Sequence, residues 1–195
     1  MTQQIGVTAE IDEGQGGKST KDLPCAADRD VWLRTFERRL LERCVLAEPA
    51  MIGLIACASG KEIVLSGDGL DICTLASAQR VGPFDLSAGT LVVFIGGRLD
   101  KFEMATTSAS LAISGIVLPS GTVVGLCDRS WEVEWLSVPE DSYVAIEGVK
   151  LTGRMNFDCG KFEYGALFED TVLHGRLLPR GASISDNDLY RPTSH

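Results

Sequence analysis

The chain has 195 residues, 45% of them hydrophobic, with 21 glycines and a formal net charge of -9. That length suits one domain with appendages and supports a sizeable core without staples. The acidic balance opposes nucleic acid backbones and anionic membrane surfaces, and the most apolar run, Met51 to Ala58, is far too short to cross a bilayer.

Residues 1–27 are rich in Gly, Gln, Thr, Asp and Lys, the composition of a disordered leader. Within it, Gly14-Gln-Gly-Gly17-Lys18-Ser19-Thr20 looks like the end of a phosphate-binding loop. The full motif needs glycine where Asp12 stands and a helix directly afterwards, yet Pro24 follows four residues after Thr20. Nucleotide binding is therefore not expected. The N-terminus shows no charged start followed by an apolar core, so a cytoplasmic location is the expectation.

From Arg29 to Leu46 the residues Leu33, Phe36, Leu40, Cys44 and Ala47 recur at three- and four-residue spacing. Leu41 and Val45 widen the stripe, and the pattern predicts an amphipathic helix. Asp28 is placed to cap it and Glu48-Pro49 to end it. A helix in 28–48 would have to cover its stripe against a β domain or another subunit.

Strand signals fill 49–182. They run through Ile52–Cys57, Glu62–Leu65, Leu70–Leu75, Thr90–Ile95 and Arg98–Met104, with Gly67-Asp-Gly69 and Gly96-Gly97 as turns. Leu111–Leu118, Thr122–Leu126, Trp131–Leu136, Tyr143–Ile146, Val149–Leu151, Phe162–Phe168 and Val172–Leu178 follow. In Trp131–Leu136 the alternation puts Trp131, Val133 and Trp135 on a core face and Glu132, Glu134 and Leu136 on the other. Residues 183–195 are polar and expected to fray.

Three segments share a pattern of apolar residue, glycine two later and leucine three beyond that. They are Ile113-Ser-Gly115-Ile-Val-Leu118, Ile146-Glu-Gly148-Val-Lys-Leu151 and Leu173-His-Gly175-Arg-Leu-Leu178. A fainter copy is Leu65-Ser-Gly67-Asp-Gly-Leu70. Two readings follow: hairpins that share turn chemistry, or bent units stacked in a solenoid-like array, which the unequal spacing weakens. The expected fold is mainly β, an antiparallel sandwich or barrel-like domain with the one N-terminal helix, and the glycine-bent stacked architecture is the alternative.

The cysteines are Cys25, Cys44, Cys57, Cys73, Cys127 and Cys159, with no spacing typical of zinc or redox motifs. Free, reduced thiols are the first reading, and the even count leaves disulfides open. No metal or other cofactor is expected. His174 is the only histidine away from the terminus, and it is read as an ordinary strand residue or, with Cys127 or Cys159, as the base of a thiol nucleophile. Asp100, Glu103, Glu132, Glu134, Asp158 and Glu163 lie in or beside strands. Glu132 and Glu134 share a strand face, and two carboxylates on one cleft could divide acid and base roles on a glycan.

Many glycine-bent strands and few catalytic residue types favour a non-catalytic protein-interaction or assembly subunit. Its partner would be itself or another protein, with neutral runs such as Leu91–Ile95 as the interface. The alternative is a hydrolase acting on a glycan or small molecule through Glu132 and Glu134, or with His174.

Overall fold

A computed structural model describes residues 4–12, 18–34, 40–66 and 69–190. They are almost wholly β, every strand pairing is antiparallel, and the chain divides into two compact units, 1–105 and 106–195.

The first unit begins with a long hairpin of β1 (Gln4–Asp12) and β2 (Lys18–Ala26). Next come β3 (Trp32–Arg34), β4 (Leu40–Val45), the short pair β5 (Ala50–Ile52) and β6 (Ile55–Cys57), then β7 (Glu62–Ser66) and β8 (Gly69–Thr74). A second short pair, β9 (Gln79–Val81) and β10 (Phe84–Leu86), precedes β11 (Leu91–Ile95) and β12 (Arg98–Glu103). The unit's main sheet has the order β3-β4-β7-β8-β11-β12.

In the second unit, β13 (Leu111–Ile113) and β14 (Ile116–Leu118) form a short pair, followed by β15 (Val123–Leu126) and β16 (Val133–Val138). β17 (Val144–Ile146) folds back on the start of the long β18 (Val149–Asp158), which pairs with β19 (Lys161–Leu167). β20 (Thr171–Leu173) and β21 (Arg176–Leu178) make the last short pair. β22 (Ser183–Ser185) and the five-residue helix α1 (Asp186–Tyr190) follow. The main sheet of this unit has the order β15-β16-β18-β19-β22. Neither sheet closes on itself, so the barrel-like form is not found.

Three expectations are corrected. The segment read as an amphipathic helix holds β3 and β4, and the one helix described lies near the C-terminus. Residues 35–39, including Phe36, lie outside the described residues. Helix-forming residues here are overridden by tertiary anchors: β4 pairs with β7, and Cys44 and Leu46 are buried. Secondly, much of the supposed leader is ordered. Leu23 and Cys25 of β2 are fully buried, and Lys18–Thr20 lie in a strand rather than ahead of a helix. Gly14–Gly17 lie outside the described residues. Thirdly, all six cysteines are paired, as Cys25–Cys44, Cys57–Cys73 and Cys127–Cys159.

The recurring sequence pattern is a two-residue hairpin. Ser114-Gly115, Glu147-Gly148 and His174-Gly175 each have two successive positive φ angles (50° and 83°, 48° and 80°, 49° and 78°). That is the type I′ turn, whose twist matches the strands it joins. The same unit occurs twice more, at Ile52-Gly53-Leu54-Ile55 and Val81-Gly82-Pro83-Phe84, where only the first turn residue has positive φ (57° and 59°). Glycine has moved by one place because the turn is of the II′ kind. In the fainter copy near Leu65, Gly67 and Asp68 lie outside the described residues, and Leu65 and Ser66 of β7 pair with Leu70 and Gly69 of β8.

The short hairpins are joined by a junction that also repeats. Leu46, Leu75 and Leu167 are essentially fully buried. Each carbonyl accepts from a turn glycine, Gly60, Gly89 and Gly181 respectively, at 2.7–2.8 Å. Each following residue reaches back to an earlier hairpin: Ala47 N–H to Pro24 O, Ala76 N–H to Ala56 O, Phe168 N–H to Lys150 O, at 2.7, 2.8 and 2.9 Å. Pro24 thus stands where Ala56 and Lys150 stand, which makes β1–β2 a lengthened member of the same series. Cys25 faces Leu46 as Cys57 faces Leu75, and the disulfide partners Cys44 and Cys73 each lie two residues before that leucine.

The alternation in Trp131–Leu136 is broken by a bulge. Register shifts between Gly125 and Leu126, so Gly125 opposes Trp135 and Leu126 opposes Val133. Val133 and Leu136 are both buried, while Trp131 is 41% exposed. The Trp135 indole lies directly on Gly125, in the space a Cβ would fill, with the Arg154 guanidinium 4.7 Å from its ring centre. Gly125→Val should displace the indole and cost about 1–3 kcal/mol as an overpacked site. A urea midpoint equal to that of the parent would show that the indole does not rest there.

Candidate interaction surface

The residues singled out for catalysis are not assembled into a site. Glu132 and Glu134 are both exposed. Glu132 accepts from Ser130 Oγ at 3.1 Å and lies against the turn at Gly160, so it is held by local structure. His174 is an exposed turn residue rather than a strand residue, and its Nε2 lies 2.8 Å from the carbonyl of Asp188 in α1. Cys127 and Cys159 are joined to each other and offer no thiolate for a His174 base. In the first unit, Asp100 and Glu103 lie on β12; in the second, Asp158 is on β18 and Glu163 on β19, and all but the half-buried Asp100 are exposed. Among the described residues no group of three His, Cys, Asp or Glu could hold a metal ion. None of their helices is long and apolar enough to cross a membrane.

A cleft of about 490 Å³ in the first unit is lined by Ala26, Asp28, Arg29, Val45, Leu46, Ala47, Ser59 and Gly60. It is the surface of the Leu46 junction. Its polar side chains, Asp28, Arg29 and Ser59, are all exposed, and no pair of carboxylates converges on it.

The run Leu91–Ile95 has both backbone edges paired, with β8 and with β12, over most of its length, which removes it as a docking strand. An exposed, unsatisfied edge lies elsewhere, on β21. In each short hairpin the middle residues pair without hydrogen bonds between them, so their N–H and C=O groups point away from the partner strand. For Ala56 in β6 those groups are taken up by the next unit: the Gln79 side-chain amide bonds both at 3.2 Å, and Ala76 N–H donates to the carbonyl. For Lys150 the carbonyl is taken by Phe168 N–H. Leu177 holds the same place in β21. Its outward N–H and C=O meet no partner among the described residues, because the chain continues into β22 and α1 instead of another hairpin.

The side chains there are bare as well. Val172 and Leu177, a cross-strand pair, are 65% and 69% exposed. Arg176 and Arg180 flank them, with the Arg180 guanidinium 5.5 Å from the centre of the Phe168 ring, and no carboxylate occurs between Thr171 and Gly181. The sequence of this hairpin gave one signal, the spacing of Leu173, Gly175 and Leu178. What sequence reasoning missed is that β22 and α1, rather than another short hairpin, come directly after it.

No protein-family description, curated protein or solved structure matches this chain.

Proposed function

We propose that this chain is a non-catalytic assembly subunit that associates with itself and works in an oxidising compartment. The observation that carries the first part is the β21 edge, where unpaired backbone groups coincide with exposed apolar side chains. Such an edge templates pairing with another chain unless it is blunted. The three disulfides support the second part, since such bonds persist outside a reducing cytosol. Exposed, dispersed carboxylates give the hydrolase reading no comparable support.

Light scattering behind a sizing column, over a tenfold concentration range at physiological salt, tests self-association. The mass should exceed the 20.9 kDa of one chain and rise with concentration. A constant mass of one chain would overturn the proposal.

A further inference from the structure

We infer that the Cys127–Cys159 disulfide is a thiol-exchange site, at which Cys159 reversibly carries a small-molecule thiol. This does not depend on self-association. The three disulfides differ in place and in access. Cys25–Cys44 and Cys57–Cys73 sit beside Leu46 and Leu75, and each of their four cysteines is at most 1% exposed. A thiol reaches them only when the first unit opens. Cys127–Cys159 has no counterpart among the described residues of that unit. Cys159 is exposed and is the first residue of the two-residue turn between β18 and β19, with φ of 40° followed by 92° at Gly160. Cys127, just after β15, is 6% exposed. Attack is therefore directed to the Cys159 sulfur, with Cys127 as the leaving group.

The exchange balances without an outside oxidant. The incoming thiolate forms a new S–S bond to Cys159 Sγ. The Cys127–Cys159 bond breaks, its electron pair leaves on Cys127 Sγ, and solvent protonates that sulfur. Return of the Cys127 thiolate onto Cys159 expels the small thiol and restores the original bond. The two segments stay in place meanwhile, because other bonds hold them. Gly160 N–H donates to Val133 O at 2.8 Å, and Cys127 N–H donates to Glu132 O at 3.0 Å. One step in from the turn, Phe157 and Phe162 are a buried cross-strand pair with ring centres 5.8 Å apart. The disulfide can open while the β18–β19 hairpin remains folded.

The test treats the dilute, oxidised full chain with reduced glutathione and no denaturant. The reaction is quenched with an alkylating reagent and mapped by peptide mass. Cys127 should be alkylated and Cys159 should carry glutathione at least about tenfold faster than the other four cysteines are modified, since those wait on opening. Circular dichroism should not change over that phase. Reduction of all three disulfides at one rate, earlier reduction of Cys25–Cys44 or Cys57–Cys73, or no reaction short of unfolding would overturn the inference. Two variants test the direction of attack, each confirmed as folded by circular dichroism. Treated with glutathione disulfide, Cys127→Ser should gain a glutathione on Cys159, while Cys159→Ser should gain little on Cys127. In that reaction the Cys159 thiolate displaces one glutathione thiolate, so it too balances. Equal adducts on the two variants, or glutathione found on Cys127 of the parent, would overturn the assignment of Cys159 as the acceptor.

Discussion

Reducing the three disulfides under otherwise native conditions should unfold much of the first unit. The closed loops span 19, 16 and 32 residues. Constraining the unfolded chain over such loops is worth about 3 kcal/mol each in the chain-entropy account. Two of the three lie in the first unit, so about 6 kcal/mol is at stake there, of the same order as the whole stability of an ordinary domain. Cys25→Ser with Cys44→Ser, and separately Cys57→Ser with Cys73→Ser, should each lower the urea-derived stability by about 3 kcal/mol. Equal midpoints for the oxidised and reduced protein would mean that the disulfides close without contributing. The expectation also bears on location: a chain that depends on these bonds would fold poorly in the cytosol.

Replacing Leu23 by alanine should be nearly as damaging. Leu23 is fully buried in β2 and lies next to the Pro24 carbonyl that receives Ala47 N–H. Truncating a fully buried leucine costs about 2–5 kcal/mol, the spread depending on how far the site collapses. Deleting 1–26 should do at least as much harm, since it also removes Cys25 and strips cover from Leu46. A denaturation midpoint for Leu23→Ala within experimental error of the parent would return β1–β2 to the status of a dispensable leader.

Most strands between β5 and β21 were legible from alternation, turn residues and glycine pairs. So were three of the five short hairpins, because Ser114-Gly115, Glu147-Gly148 and His174-Gly175 place glycine second in the turn. Gly53-Leu54 and Gly82-Pro83 escaped because a different turn type puts glycine first. β2 escaped because its composition is polar outside Leu23, Cys25 and Ala26, and composition does not report a strand held by neighbours. A clue was present nonetheless: Leu23-Pro-Cys25-Ala and Ile55-Ala-Cys57-Ala have the same form, as do Cys44-Val-Leu46-Ala and Cys73-Thr-Leu75-Ala. That correspondence matches the two equivalent disulfides of the first unit, Cys25–Cys44 and Cys57–Cys73. The segment around β4 misled because Leu, Arg and Glu favour helix locally, while the disulfide to Cys25 and the pairing with β7 decide the outcome. Trp131–Leu136 misled because a bulge cannot be seen in one strand alone; it arises from the register with Gly125. As for the candidate site, Glu132, Glu134 and His174 were visible as chemistry but not as placement. The surface at Leu177 depends on which unit follows which, and that is a property of the assembled series.

The recurring junction is the centre of this account, and amide hydrogen exchange followed by NMR reads it residue by residue. The amides of Ala47, Ala76 and Phe168 should be strongly protected in dilute protein, because each donates to the carbonyl of an earlier hairpin. The Leu177 amide should exchange rapidly in the same sample and slow as concentration rises and its edge is covered. Rapid exchange at Ala47, Ala76 and Phe168, matching that of Leu177 at every concentration, would contradict both the junction and the open end it leaves.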